Sequence, residues 1–127
     1  MPKTDKKNIS AIPPVLERVV AAAKVAAENR GNDVTILDVR ALTKSFDYFL
    51  IVSGTSKRQL HSIGDEIQKK ICKEMGDTCL SVAGHSDGKW IVIDYGDIVV
   101  HLFEPETRRY YALEELWGKA AQVGFAD

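Results

Sequence analysis

No apolar run in this 127-residue chain approaches the about eighteen residues that span a bilayer, so no membrane span is expected. Cysteine is scarce. Cys72 and Cys79 are the only two, and their separation matches no metal-ligand spacing. They are expected to be reduced packing residues of a cytoplasmic protein. Neither sign of charge is in excess: seventeen Lys and Arg face eighteen Asp and Glu, a formal −1. That excludes binding to nucleic acid or membrane by bulk charge and leaves only a local basic patch. The opening segment, MPKTDKKNISAIPP, has lysines with no apolar stretch behind them and no arginine. It has the form of neither a secretory signal nor a transit peptide, and residues 1–14 are expected to form a disordered, solvated tail. No internal repeat, low-complexity tract or interior linker is present.

What remains is ordinary globular material, 45% apolar and 28% charged, enough for one domain with a modest core. Val15, Val19, Ala22, Ala23 and Ala26 recur every three or four residues, which predicts an amphipathic helix from Val15 to about Asn29, stopped by Gly31. DVTILDV (33–39) reads as a strand, and YFLIVS (48–53) as a short strand buried on both faces. Ser56 and Gln59 form a capping box. The helix behind it carries Leu60, Ile63, Ile67, Ile71 and Met75 on one stripe and ends at Gly76. Cys79–Ala83 is a third strand and 84–88 a polar turn. Residues 90–103, WIVIDYGDIVVHLF, are a hairpin; Pro105 stops it, and Arg109–Trp117 closes the chain as a short helix. The expected fold is an α/β single domain over 15–117. It has a mixed five-stranded sheet, two long helices mainly on one face, a short C-terminal helix, and a tail at 118–127.

The hairpin has two unlike faces. A turn centred on Tyr95-Gly96 sets Asp94 against Asp97 and Trp90 against His101. One face is then Ile91, Ile93, Ile98, Val100 and Leu102, all aliphatic and bound for the core. The other is Trp90, Val92, Asp94, Asp97, Val99, His101 and Phe103. Facing carboxylates are tolerable at a solvated tip but costly beneath a helix. The second face is therefore expected to be open, a candidate contact surface, unless the last helix or the tail covers it. Tyr95, at the tip, is placed either to fold back or to insert into a partner. His101 is expected to pack across from Trp90.

Other signals are weaker. Asp94 and Asp97 fit turn chemistry better than a metal site. His61 and His85 stand in no ligand pattern. SGTSKR offers a glycine turn, a helix start and two cations, but GxxxxGK[ST] is absent. A nucleotidyltransferase would need carboxylates one apart on the strand after this helix, to hold magnesium. That strand, CLSVA, has none, and Glu104-Pro105-Glu106 is interrupted by proline. Arg108-Arg109-Tyr110-Tyr111 is either a helix with solvated arginines and packed tyrosines or a contact for RNA or an acidic partner.

DYFLIVSGTSKRQLHSI, GKWIVIDYGDIVVHLF and ETRRYYALEELW together resemble the ribosomal silencing factors related to the plant protein Iojap, from about Leu16 to Trp117. The resemblance implies a nucleotidyltransferase-like fold without catalytic carboxylates, no reaction and no cofactor. It implies binding to large-subunit protein number fourteen on the joining face, which blocks docking of the small subunit and represses translation. By position it implies a binding surface of Trp90, Tyr95, Asp97 and neighbouring Asp94 and His101. Arg108 and Arg109 would be peripheral contacts, with ribosomal RNA within reach. The alternative from another class is a nucleotide-binding or nucleotidyl-transferring enzyme on the same fold. A homodimer through the open face is compatible with the first reading.

Overall fold

The computed structural model describes residues 12–84 and 88–125. Helix α1 (Val15–Glu28) buries Val19, Ala22, Ala23 and Ala26, a stripe of small residues that lets it lie close to the sheet. Helix α2 (Lys57–Gln68) buries Leu60, Ile63 and Ile67 and runs on through a π-type segment, Lys69–Glu74, which buries Ile71. Gly76, at φ 81°, then reverses the chain.

Among the described residues six strands form one sheet in the order β3-β4-β5-β2-β1-β6. At its centre β2 (Tyr48–Ser53) and β5 (Ile98–Phe103) run parallel, every residue of both buried. β1 (Asn32–Asp38) pairs antiparallel with β2, and β4 (Trp90–Asp94) with β5. The edges are three-residue strands, β3 (Ser81–Ala83) and β6 (Ala121–Val123). β3 is shorter than expected from Cys79–Ala83. β6 is the sixth strand where five were expected; it comes from the segment read as a tail, and Phe125 beyond it packs against the core. A three-residue edge strand has too short an alternation to stand out in sequence.

Both helices cover one face. Tyr48, Leu50, Val52, Ile91, Ile93, Ile98, Val100 and Leu102 meet them there. The opposite face is not left bare. Leu37, Val39, Phe49, Ile51, Val99 and Phe103 form a second cluster closed by Leu113, with Trp117 and Ala120 against it. The closing segment is not one helix from Arg109 to Trp117. It is α3 (Pro105–Tyr111) and α4 (Leu113–Leu116), broken at Ala112, which takes the left-handed conformation at φ 48°. That break turns Leu113 down onto the sheet. Cover therefore extends over β1, β2 and β5, while Trp90, Val92 and Asp94 on β4 stay half-buried.

The hairpin pairs two residues out from the expected register. Trp90 opposes Phe103, Val92 opposes His101, and Asp94 opposes Val99, not Asp97. The turn sits on Gly96-Asp97 because Gly96 supplies the positive φ, 93°, and Asp94 Oδ1 accepts the Gly96 N–H at 2.7 Å. A shift of two preserves both faces. It also extends β4's alternation to Tyr95, which joins Ile91 and Ile93 in the helix-side core and is 0% exposed.

Asp97, half-buried at the hairpin tip, is tied down by an ion pair. Arg18 of α1, 3% exposed, donates to Asp77 at 2.6 Å and to Asp97 at 2.7 Å, while its Nε reaches the Pro13 carbonyl at 2.9 Å. Burial alone would lower the Arg18 pKa. The hydrogen bonds and charges of Asp97 and Asp77 outweigh it and hold the guanidinium above its ordinary value. The cluster ties the start of α1, the loop after the π-type segment and the hairpin tip together. Arg18→Ala removes the cation beside a buried carboxylate and is expected to cost about 3–5 kcal/mol in urea unfolding. A loss under about 1 kcal/mol would show that the cluster does not hold the fold.

Candidate functional site

Trp90 opens β4 on the face away from α1 and α2. Gly84 makes room for its backbone: a Cβ there would lie 2.0 Å from the Trp90 carbonyl oxygen. The half-buried indole stacks on Phe103, its cross-strand partner, with ring centres 4.8 Å apart. Tyr111 leans on it at 4.6 Å. Its Nε1–H donates to His101 Nδ1 at 3.1 Å. Phe49 lies edge-on to His101 at 5.3 Å and to Trp117 at 5.1 Å, and Tyr110 stands edge-on to Tyr111 at 5.0 Å. The rings form one continuous row that begins in the core at Phe49 and Phe103. It surfaces through Trp90 and ends in solvent, where Tyr111 is 50% and Tyr110 82% exposed.

Of the residues singled out from sequence, Trp90 and His101 meet in this row, with Asp94 half-buried further along the same strand face. Three others are corrected. Tyr95 is sealed in the core and cannot insert into a partner as the fold stands. Asp97 is committed to Arg18. Arg108 is 8% exposed rather than solvated: it donates to Ser53 Oγ at 2.8 Å and pairs with Glu114 at 2.6 Å, pinning α3 and α4 to the sheet. Arg109 is exposed. Tyr110 and Tyr111, read from sequence as either packed or functional, are the exposed pair. His85 lies outside the described residues.

The sites for other chemistry are largely spoken for. At the start of α2, Ser56 Oγ accepts the Gln59 N–H at 3.1 Å, and Gln59 Oε1 accepts the Thr55 N–H at 2.6 Å. The turn that could cradle a phosphate thus spends donors on its own side chains. An open cleft of about 870 Å³ lies at the carboxyl ends of β2 and β5, lined by Asp33, Thr35, Ser53, Arg108, Glu114 and Glu115. Its buried Arg108 is already paired with Glu114, and the exposed Arg109 shares the lining with the carboxylates of Asp33 and Glu115. No group of three His, Cys, Asp or Glu among the described residues could hold a metal ion.

Burial lowers the His101 pKa from 6.5 to about 4. Its ring neighbours Phe49, Trp90 and Phe103 carry no ionisable group. The unfolded chain therefore takes up a proton at His101 before the native state does. The associated stability is complete above pH 6.5, is lost as pH falls toward about 4, and amounts to about 3 kcal/mol. Chemical unfolding from pH 7 to pH 4 should show a steeper loss in the parent than in His101→Leu. Parallel curves would refute this placement of the proton.

Residues 13–127 match the family described as "Ribosomal silencing factor during starvation". The chain is 35% identical over 107 residues to a ribosomal silencing factor of Halalkalibacterium halodurans, covering 84% of this chain and 91% of that one. It is 36% identical over 92 residues to the mouse protein named "Mitochondrial assembly of ribosomal large subunit protein 1", covering 71% of this chain and 40% of that one. A crystal structure of a protein from Chromobacterium violaceum superposes with TM-score 0.80 at 33% identity, over 91% of this chain and 94% of that one. With the family matched over nearly its whole length and the fold shared, the chain belongs to the ribosomal silencing factor family.

Proposed function

We propose that this protein is a cytoplasmic translational repressor that docks on the large ribosomal subunit, on protein number fourteen of its joining face. Once docked it bars the small subunit by occupying its place. No bond is made or broken, so repression follows occupancy and hence affinity. The observation that carries the reading is the half-buried Trp90 where the aromatic row leaves the core. It stands beside exposed Tyr110 and Tyr111 at the margin of the sheet that α4 leaves uncovered. A rigid aromatic, apolar at its base and solvent-facing at its edge, is the usual chemistry of an interface anchor. The silencing named in the relatives, and the large subunit named in the mouse protein, favour this partner.

Arg109 gives the docked protein a peripheral cation toward RNA, and one such contact implies a shallow dependence on salt. Arg108 and Asp97 drop out of the contact set because their charges are used internally. Self-association of the free protein through the same strip would compete with docking rather than replace it. The enzymatic alternative finds less support. β3 carries no carboxylate, and the turn before α2 is closed by its own caps.

Pelleting with purified large and small subunits tests the reading. The parent should co-sediment with large subunits only, and its addition should reduce reassociation of the two. Trp90→Ala should weaken binding by about 30-fold, corresponding to about 2 kcal/mol. Tyr95→Ala should instead lower stability by about 3–5 kcal/mol, as for a large core side chain. Unchanged pelleting of folded Trp90→Ala would remove the strip as the contact.

A further inference from the structure

His101 is an expensive residue where it stands. It is 8% exposed on a central strand, wedged among Phe49, Phe103 and Trp90. Nδ1 accepts the Trp90 indole N–H, which puts the imidazole proton on Nε2. Nε2 is buried with no hydrogen-bond partner among the described residues. An unsatisfied buried donor opposes folding, and a leucine or phenylalanine in the same place would avoid that cost. Packing alone therefore does not account for an imidazole. Among the described residues the one polar interaction its ring makes is with Trp90.

The strand register shows what that interaction changes. Trp90 sits opposite Phe103, and His101 is its diagonal neighbour on the same face. Stacking on Phe103 fixes the plane of the indole but is nearly indifferent to a half-turn of the ring. Only one of the two orientations points Nε1 along the strand toward His101. The hydrogen bond selects it, and with it the edge of the indole that is left toward solvent beside Tyr111. We propose that His101 is a positioning residue, which holds the Trp90 indole in a single orientation before docking, so that the partner meets a preformed anchor although it never touches the imidazole. The inference rests on the reading of Trp90 as the anchor. Its physical content is preorganisation: orientational freedom removed in the free protein is not lost again on binding.

Two substitutions separate this from a packing role. In His101→Asn the amide oxygen can take the place of Nδ1 as acceptor. His101→Leu fills the space without an acceptor, and it should be at least as stable at neutral pH. The full-length variants are compared by thermal melting, by the exchange rate of the Trp90 indole N–H in ¹⁵N spectra, and by pelleting with purified large subunits. The Trp117 indole serves as internal control. His101→Leu should keep the fold, exchange the Trp90 indole proton faster, and bind about three- to tenfold more weakly, the worth of one hydrogen bond. His101→Asn should recover the slow exchange and most of the binding.

Equal binding by the parent and the leucine variant, with Trp90→Ala still impaired, would overturn the positioning role and leave the docking reading standing. An asparagine variant that binds no better than the leucine one would overturn it too. Normal binding by Trp90→Ala would instead strike the docking reading itself. Should His101→Leu not fold, His101→Gln replaces it, its amide reaching the Nε2 position rather than Nδ1. Slow indole exchange and full binding in that variant would equally refute the proposal.

Discussion

Two parallel strands buried on both faces govern the rest of this molecule. β2 and β5 expose no residue between them, so each face of their pair must be roofed. The helix side is simple: α1 and α2 each bring one apolar stripe, and together they span the sheet. The other side is covered by the closing segment, with Phe46 of the β1–β2 connector against Phe49. Leu113, Trp117 and Ala120 pack over the cluster of Phe49, Ile51, Val99 and Phe103. They do not reach across β4. The margin at Trp90 is therefore only half-covered.

Two buried arginines hold this arrangement together. A short closing segment has few apolar residues to hold it down, and Arg108 supplies the anchorage through Ser53 and Glu114. At the far end of the sheet, Arg18 holds the hairpin tip through Asp97 and the loop through Asp77. In both places a charge joins segments distant in sequence. Paired this fully, such charges fix a geometry more than they add stability.

This division marks what could be read in advance. Helix stripes and the alternation within β2, β4 and β5 come from local period, and they were legible: Leu60, Ile63 and Ile67 lie where their spacing puts them. Face assignment survived a wrong turn position because a two-residue slip leaves parity intact. The failures have two causes. Tyr95 turns inward because Gly96 takes the positive φ and moves the turn by one residue; Asp97 and Arg108 are claimed by partners far away in the chain. Asp97 and Arg18 are 79 residues apart, and Arg108 and Ser53 are 55. No local pattern encodes such pairs. Trp90 stands out in the sequence because an indole at the start of the hairpin's mixed face is locally odd, and its ring partners Phe103 and His101 lie in the same hairpin.

The form of the exposed strip bears on how such a protein avoids sticking to itself or to other proteins. Its sheet edges, β3 and β6, are three residues each, too short to template a further strand well. The apolar surface it offers is a graded row of rings in which each is braced by the one beneath, from Phe103 through Trp90 to Tyr111. Bracing makes the row rigid. A rigid surface gains little from an ill-fitting partner, since it cannot remould to meet it, and loses little entropy to a well-fitting one. Selectivity would then reside in the fixed shape of the row rather than in charge, which suits a chain whose formal charge is −1 and whose buried arginines already have their carboxylates.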